Sequence, residues 1–332
     1  MASLAFSHDA PDMIVWDNHV CLPHRAEPAW FARLERHRAA GIDVASLNLG
    51  DAKVSFEKQM RMAAFFRAQI AARSDDYQLA ETIADINAAK ASGKLAIVFD
   101  VEGAWAMDGQ LDLVALYARI GVRWLSIAFN RANWAGGGVH DADDPGLSAA
   151  GAQLLDSLAE NGIVACCTHT GYRTAHAAIE HYRVLGKPLI FSHSNARALD
   201  DHPRNIPDNL IDAVASIGGV IGINGLSIFL GNAADLAERF AEHAIYVADR
   251  VGAAHVGIGL DYVYDQADMD AQLAAARGTW PAGYGYEPGI RYLEPEALPR
   301  VVDLLMARGW GDDAVRGFLG GNFVRVAQQV WR

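Results

Sequence analysis

The sequence predicts an α/β fold, a (β/α)8 TIM barrel with extra helices at its C-terminal end. Three observations predict it. Eight short, β-rich apolar runs alternate with helix-period stretches along 332 residues. The runs are almost continuously apolar, as strands buried on both faces must be. Several of them end in His, Glu or Asp, where a barrel strand meets its loop.

The elements follow in order. MIVWDNHV (13–20) is the first strand and GIDVASLNL (41–49) the second, with helical periodicity over 56–73 and 76–92. LAIVFDVEG (95–103) is the third, with a helix near 111–120, and VRWLSIAF (122–129) the fourth, with a helix near 148–161. GIVACCTHT (162–170) and PLIFSHS (188–194) are the fifth and sixth, followed by helices near 173–185 and 207–216. GGVIGINGL (218–226), a helix near 233–251 and HVGIGLDY (255–262) complete the eight. Helices near 295–307, 311–319 and 322–330 close the chain. No linker-like change of composition divides residues 1–332, so they read as one domain. Residues 263–292 are aromatic and rich in Gly and Pro, and read as a long loop excursion at the barrel mouth with room for one short helix.

Composition narrows the partners. Hydrophobic residues make up 52% and charged residues 20%, which suits a large core. A net charge of −12 argues against nucleic acid, because binding phosphates needs a basic face. No run reaches the roughly 18–20 apolar residues that span a bilayer, so no membrane partner is expected. MASLAFSHDAPDM lacks the basic n-region of a signal peptide. The cysteines Cys21, Cys166 and Cys167 are odd in number and two are adjacent; a disulfide framework is not expected, and a cytoplasmic location is the default. Cys166 and Cys167 read as core residues on opposite faces of the fifth strand.

The strand ends carry the chemistry. His19, Glu102, His169, His193 and Asp261 close the first, third, fifth, sixth and eighth strands. Each alone reads as a satisfied strand-end polar group. Five metal-ligand types at matching ends can converge on one point, and this mixture suits Zn²⁺ or a similar ion. A carboxylate such as Glu102 can bridge two ions, and paired metals can activate one water. GGGVH (136–140) does not join a strand directly to a helix and reads as a loop, and HAAIEH (176–181) lacks the HExxH spacing of a zincin.

The chain resembles the membrane dipeptidase (renal dipeptidase) family of zinc metallopeptidases, among the amidohydrolase-like barrels. The resemblance is carried by FSHSNARALDDHPRNIPDNLIDAVASIGGVIGIN (191–224), with DNHVCLP (17–23), VEG (101–103), NRANWAGG (130–137), THTGYRT (168–174) and GIGLDY (257–262), in family order over most of the chain. It implies the metal-dependent hydrolase type of barrel and a binuclear zinc site. By resemblance His19 and Asp261 hold one ion, His169 and His193 the other, and Glu102 bridges. The implied reaction is hydrolysis of a dipeptide by a metal-activated water, with Asp261 as the catalytic proton shuttle. Arg204 matches the Arg that pairs with the substrate carboxylate, so the implied partner is a small molecule with a free carboxylate. A homodimer is implied by resemblance alone.

Two positions depart from the pattern. The family's first motif has His-x-Asp, with the Asp a metal ligand; here that position is Cys21. A thiolate can bind Zn²⁺, and a free Cys can equally be a small buried apolar residue; with the second reading the first ion keeps fewer ligands, so one or two ions per chain are expected. On the fourth strand the family has a substrate-binding His where this chain has Phe129. Phe129 cannot donate to a developing oxyanion; Asn130, or His140 from the adjacent loop, is the substitute within reach in sequence. Trp280, Tyr284 and Tyr286 either line the substrate pocket or hold the long loop down. The expected function is metal-dependent cleavage of a dipeptide or similar small amide. The alternatives are a divergent amidohydrolase with one firmly held metal acting on a non-dipeptide amide, and a non-catalytic metal-binding barrel.

Overall fold

Alternation sets the architecture. In a strand, successive side chains point to opposite faces. Along Leu95–Val101, Leu95, Ile97 and Phe99 face the large core that also holds Met62 and Phe66 of a surrounding helix, while Ala96 and Val98 face a second, smaller core. That smaller core is the lower interior of a closed barrel. The structure is a computed structural model that describes residues 13–51, 54–281 and 283–332. Residues 1–12, nearly all of the N-terminal stretch read as lacking a signal peptide, lie outside the described residues.

The strands are β1 (Trp16–Cys21), β2 (Val44–Asn48), β3 (Tyr77–Leu79), β4 (Leu95–Val101), β5 (Val122–Ser126), β6 (Val164–Cys166), β7 (Ile190–Phe191), β8 (Val220–Ile223), β9 (Val256–Ile258) and β10 (Tyr262–Val263). Eight of them, in the order β1-β2-β4-β5-β6-β7-β8-β9, form the parallel ring, which closes where Asp17 of β1 pairs with Ile258 of β9. This is the predicted (β/α)8 barrel. Its lower interior holds Trp16, Val44, Val98, Trp124, Val164, Ile190 and Val220, plugged by Phe323, Val326 and Val330 of the terminal helix Asn322–Val330. Above this plug the same inward faces turn polar, with Ser46, Asn48, Asp100, Ser126 and Ser192, all buried.

Two expectations on local structure are corrected. The stretch 76–92 is not helical throughout. Tyr77–Leu79 pairs in parallel with β4, Tyr77 opposite Leu95, and the helix begins only at Ile83. Thr82 Oγ1 accepts from the Asp85 N–H while the Asp85 carboxylate accepts from the Thr82 N–H; this capping box sets the helix start. The sequence reading places no helix between the first two strands, yet the chain is helical in short turns from Pro28 to Ala39, with a proline in the first turn. Residues 263–292 carry the helix Gln266–Ala275. Cys166 faces the lower interior and Cys167 the outer core.

Candidate metal centre

Glu102 follows Asp100 by two residues, so both continue the inward face of β4. His19 reaches the same space from β1, where the pairing register shifts between Asp17 and Val20. His169, His193 and Asp261 lie just past β6, β7 and β9. Asn130, His169 and Asp261 have φ of 59°, 67° and 57°, left-handed values that non-glycine residues rarely adopt. Such backbone is uphill by about 1–3 kcal/mol and collects where a site dictates side-chain direction. Two glycines make room beside His193: a Cβ on Gly222 would lie 2.1 Å from the Ser192 carbonyl oxygen, and one on Gly259 would lie 2.0 Å from it.

The five strand-end residues meet around one point. Glu102 Oε1 is 2.9 Å from His169 Nε2 and 3.3 Å from His193 Nε2, and Glu102 Oε2 is 3.5 Å from His19 Nε2. His19 Nε2 is 3.6 Å from Asp261 Oδ1, and His193 Nε2 is 4.0 Å from Asp261 Oδ2. Cys21 turns toward this group: its Sγ is 3.3 Å from His19 Nε2 and 3.7 Å from Asp261 Oδ1. The rings of His19 and His193 stack at 4.2 Å.

The donor chemistry fits a cation. Each imidazole is engaged through Nδ1: His19 with Asp100 Oδ2 at 3.3 Å, His169 with Asn130 Oδ1 at 2.8 Å and His193 with Ser192 Oγ at 2.9 Å. That is how metal-binding histidines are oriented, with the other nitrogen presenting its lone pair. The His169 and His193 Nε2 atoms stand 3.0 Å apart, facing Glu102 Oε1, which is buried without a hydrogen-bond donor. Lone pairs and a bare carboxylate oxygen at such distances repel unless positive charge lies among them.

The ionisation pattern of the protein alone points the same way. Burial lowers His19, but Cys21, Glu102 and Asp100 outweigh it and carry the imidazole well above its ordinary range. Burial raises Glu102, but His19 and His169 hold it well below the usual carboxylate range. Burial, with Arg204 adding to it, pushes His169 down to about 3, and burial with His19 drives His193 well down. Asp100 is pushed up to about 7 and Cys21 up to about 12, in both cases chiefly by burial. Burial also raises Asp261.

A cavity of about 800 Å³, counted to its open mouth, lies above the cluster; Cys21, Glu102, His169 and Asp261 border it. Its walls are mainly apolar, with Phe129, Phe229, Met269, Trp280 and Ile290, and Arg204 and Tyr286 border it too. Phe129 lies flat on His169 at 4.2 Å. Asn130 does not border the cavity; its side-chain oxygen is taken by His169. His140 does not border it either, and its Nε2 is 2.8 Å from the Tyr286 hydroxyl, which does. Asp17 accepts from the Leu260 N–H at 2.8 Å and lies 3.1 Å from His37 Nε2, so it ties β1 to the chain beyond β9 and stays out of the cluster.

Sequence reasoning did not single out the residues behind the cluster. Asp100 holds His19 and also accepts from Asn48 at 2.7 Å; Asn224 donates to Asp261 Oδ2 at 2.9 Å. Asp100 was open to inference from its two-residue spacing to Glu102. Asn224, in GGVIGINGL, carries no such signal.

The family model described as membrane dipeptidase (peptidase family M19) matches residues 36–273. Dipeptidase verJ of Clonostachys rogersoniana is 26% identical over 77% of this chain, and an uncharacterised dipeptidase of Schizosaccharomyces pombe is 30% identical over 73%. The chain spans 61% and 54% of the length of these two relatives. An uncharacterised Klebsiella pneumoniae protein encoded in the pqqA 5′ region is 29% identical over 81% of this chain and 94% of its own length. Among solved structures, an amidohydrolase from Pseudomonas aeruginosa superposes with a TM-score of 0.88 at 25% identity, covering 100% of this chain and 99% of that one. A Rhodobacter sphaeroides metallopeptidase, liganded with a phosphinate mimic of the dipeptide L-Ala-D-Ala, shares the fold with a TM-score of 0.77 at 19% identity over 96% of this chain and 99% of its own. With the family model matching most of the chain and the same barrel in these structures, the chain belongs to the membrane dipeptidase family.

Proposed function

We propose that this chain is a metal-dependent hydrolase of dipeptides or similar small amides that carry a free carboxylate. The observation that carries the reading is the arrangement around Glu102: three imidazoles tied through Nδ1, with their Nε2 atoms turned on one carboxylate. His169, His193 and Glu102 would hold one ion, and His19, Asp261 and Cys21 the other with Glu102 shared, zinc being the ion best suited to the mixture. When bound, the metal supplies a Lewis acid and lowers the pKa of water at the reaction centre.

The chain's own residues do the rest. Arg204 borders the cavity, its buried Nε has no hydrogen-bond partner and its Nη2 makes a long 3.4 Å bond to the His193 carbonyl, which suits it to take the substrate carboxylate. Asp261 is held by Asn224 and raised by burial, which suits a group that takes the proton of the attacking water and returns it to the leaving amine nitrogen. Phe129, Phe229 and Trp280 give the substrate an apolar wall. The phosphinate dipeptide mimic held by the Rhodobacter relative accords with this substrate class.

A second reading has a specific observation behind it. Phe129 covers His169 where the family resemblance places a hydrogen-bonding His, which favours an amide other than a plain dipeptide. A panel of L-L and L-D dipeptides, N-acyl amino acids and small lactams, with amino-acid release followed in zinc-loaded and chelator-stripped protein, separates the two. Zinc-dependent release from dipeptides supports the first reading. Release only from the other amides supports the second. Zinc binding with no turnover of any of them contradicts both and leaves a metal-binding barrel without catalysis.

A further inference from the structure

Arg204 and Tyr286 come from different loops and meet in one corner of the cavity. Arg204 is only 5% exposed, its guanidinium stands over the Phe229 ring at 4.9 Å, and its Nε has no hydrogen-bond partner. A buried cation with no carboxylate at ion-pair distance is unfavourable unless an anion arrives. Tyr286 is 3% exposed and borders the same cavity, and its phenol oxygen accepts a hydrogen bond from the Arg204 guanidinium, whose charge acts against burial on the phenol.

We propose that Tyr286 donates its phenol O–H to the substrate carboxylate beside the Arg204 guanidinium, so that the two side chains form a two-point clamp; this rests on the hydrolase reading above. Two histidines build the corner. His202 donates Nε2–H to the Tyr284 carbonyl at 2.8 Å, and its Nδ1 accepts the Arg204 N–H at 3.0 Å. One ring thus latches the loop bearing Tyr286 to the loop bearing Arg204. His140 lies 2.8 Å from the Tyr286 hydroxyl through Nε2. Burial and Arg204 keep His140 neutral, down to about 2. A neutral His140 can give its Nε2–H to the phenol oxygen, which frees the phenol proton for an incoming acceptor. A guanidinium with an adjacent O–H suits a planar two-oxygen anion better than a guanidinium alone. The clamp makes Tyr286 a specificity-determining residue for the free carboxylate.

The test compares zinc-loaded wild type and Tyr286→Phe on Gly-L-Phe and on its C-terminal amide. The reading expects the wild type to prefer the free acid. In Tyr286→Phe, KM for the acid rises about tenfold, kcat stays within about twofold, and the acid-to-amide ratio of kcat/KM falls about tenfold. That ratio is taken within one protein, so a partly unfolded variant does not distort it. An unchanged ratio, or a fall in kcat at constant KM, overturns the clamp. If the wild type cleaves neither compound, the hydrolase reading loses its support on this pair, and the clamp is read separately by calorimetry with N-acetyl-L-phenylalanine. Binding weakened about tenfold by Tyr286→Phe supports the clamp; binding that is absent in the wild type or unchanged in the variant overturns it.

Discussion

The two halves of the centre are built differently. Around His169 and His193 the candidate ligand atoms lie 2.9–3.3 Å apart, and both rings are held through Nδ1 at 2.8–2.9 Å. Around His19, Cys21 and Asp261 the separations are 3.3–3.7 Å, the ring is held at 3.3 Å, and one ligand candidate is a thiol that burial pushes up to about 12. A metal site binds most tightly where its ligands are pre-oriented and need not be deprotonated on binding. The contrast teaches that a shared fold and a shared bridging carboxylate do not make the halves equal. On the proposed reading the His169 half holds its ion firmly and the Cys21 half holds its ion weakly.

The largest effect should come from the residue both halves share. Glu102→Gln removes the charge that faces three imidazoles; turnover should fall on the order of 1,000-fold or more, and zinc measured by atomic emission should be lost from both halves. Retention of both ions in this variant would break the comparison at its root. Asn130→Ala frees the His169 ring, and zinc affinity of the firm half should fall about 10–100-fold, read by competition with a chromophoric chelator.

Substitution of Cys21 sharpens the contrast. Cys21→Ala should weaken only the loosely held ion, leaving about one zinc per chain after dialysis, while Cys21→Asp should retain both. With cobalt in place of zinc, the wild type should show a sulfur-to-metal charge-transfer band in the near ultraviolet that both variants lack. The same stoichiometry and spectrum in wild type and Cys21→Ala would make the thiol a bystander.

The smallest effect lies behind the firm half. His243 Nδ1 accepts the Ala196 N–H at 3.1 Å, just beyond His193, and burial, with Arg239 adding to it, lowers the imidazole to about 3. The folded protein therefore keeps His243 neutral, while the unfolded chain protonates it below roughly 6.5. Its contribution to stability is fully present above that value and is lost as pH falls from there toward about 3, at up to about 1.4 kcal/mol per pH unit. Denaturant midpoints at pH 7 and pH 5 should fall less in His243→Gln than in the wild type; equal falls would contradict this account of His243.

Much of the barrel was legible because its strands are continuous apolar runs, and the ends of those runs stood out because His19, Glu102, His169, His193 and Asp261 interrupt them with polar groups. The short strand Tyr77–Leu79 was hidden because three residues carry no period of their own; β4 supplies the partner that makes them extended. The turns at Pro28–Ala39 were hidden by a mixture of charged and aromatic residues that dilutes their apolar stripe. Tertiary placement decided the rest. Sequence proximity offered Asn130 and His140 as substrate contacts, yet folding turns Asn130 onto His169 and sets His140 behind Tyr286. Cys21 has two readings in the sequence; folding sets its sulfur 3.3 Å from His19 Nε2, and the proposed ligand role rests on that placement.

The measurement that tests the central claim most directly is stepwise zinc removal from the loaded protein by graded chelator, with zinc per chain and dipeptide hydrolysis followed together. The account predicts loss in two phases, the first ion leaving from the Cys21 half and turnover falling with it. Zinc leaving in a single phase, or hydrolysis that persists after all zinc has gone, would contradict the account.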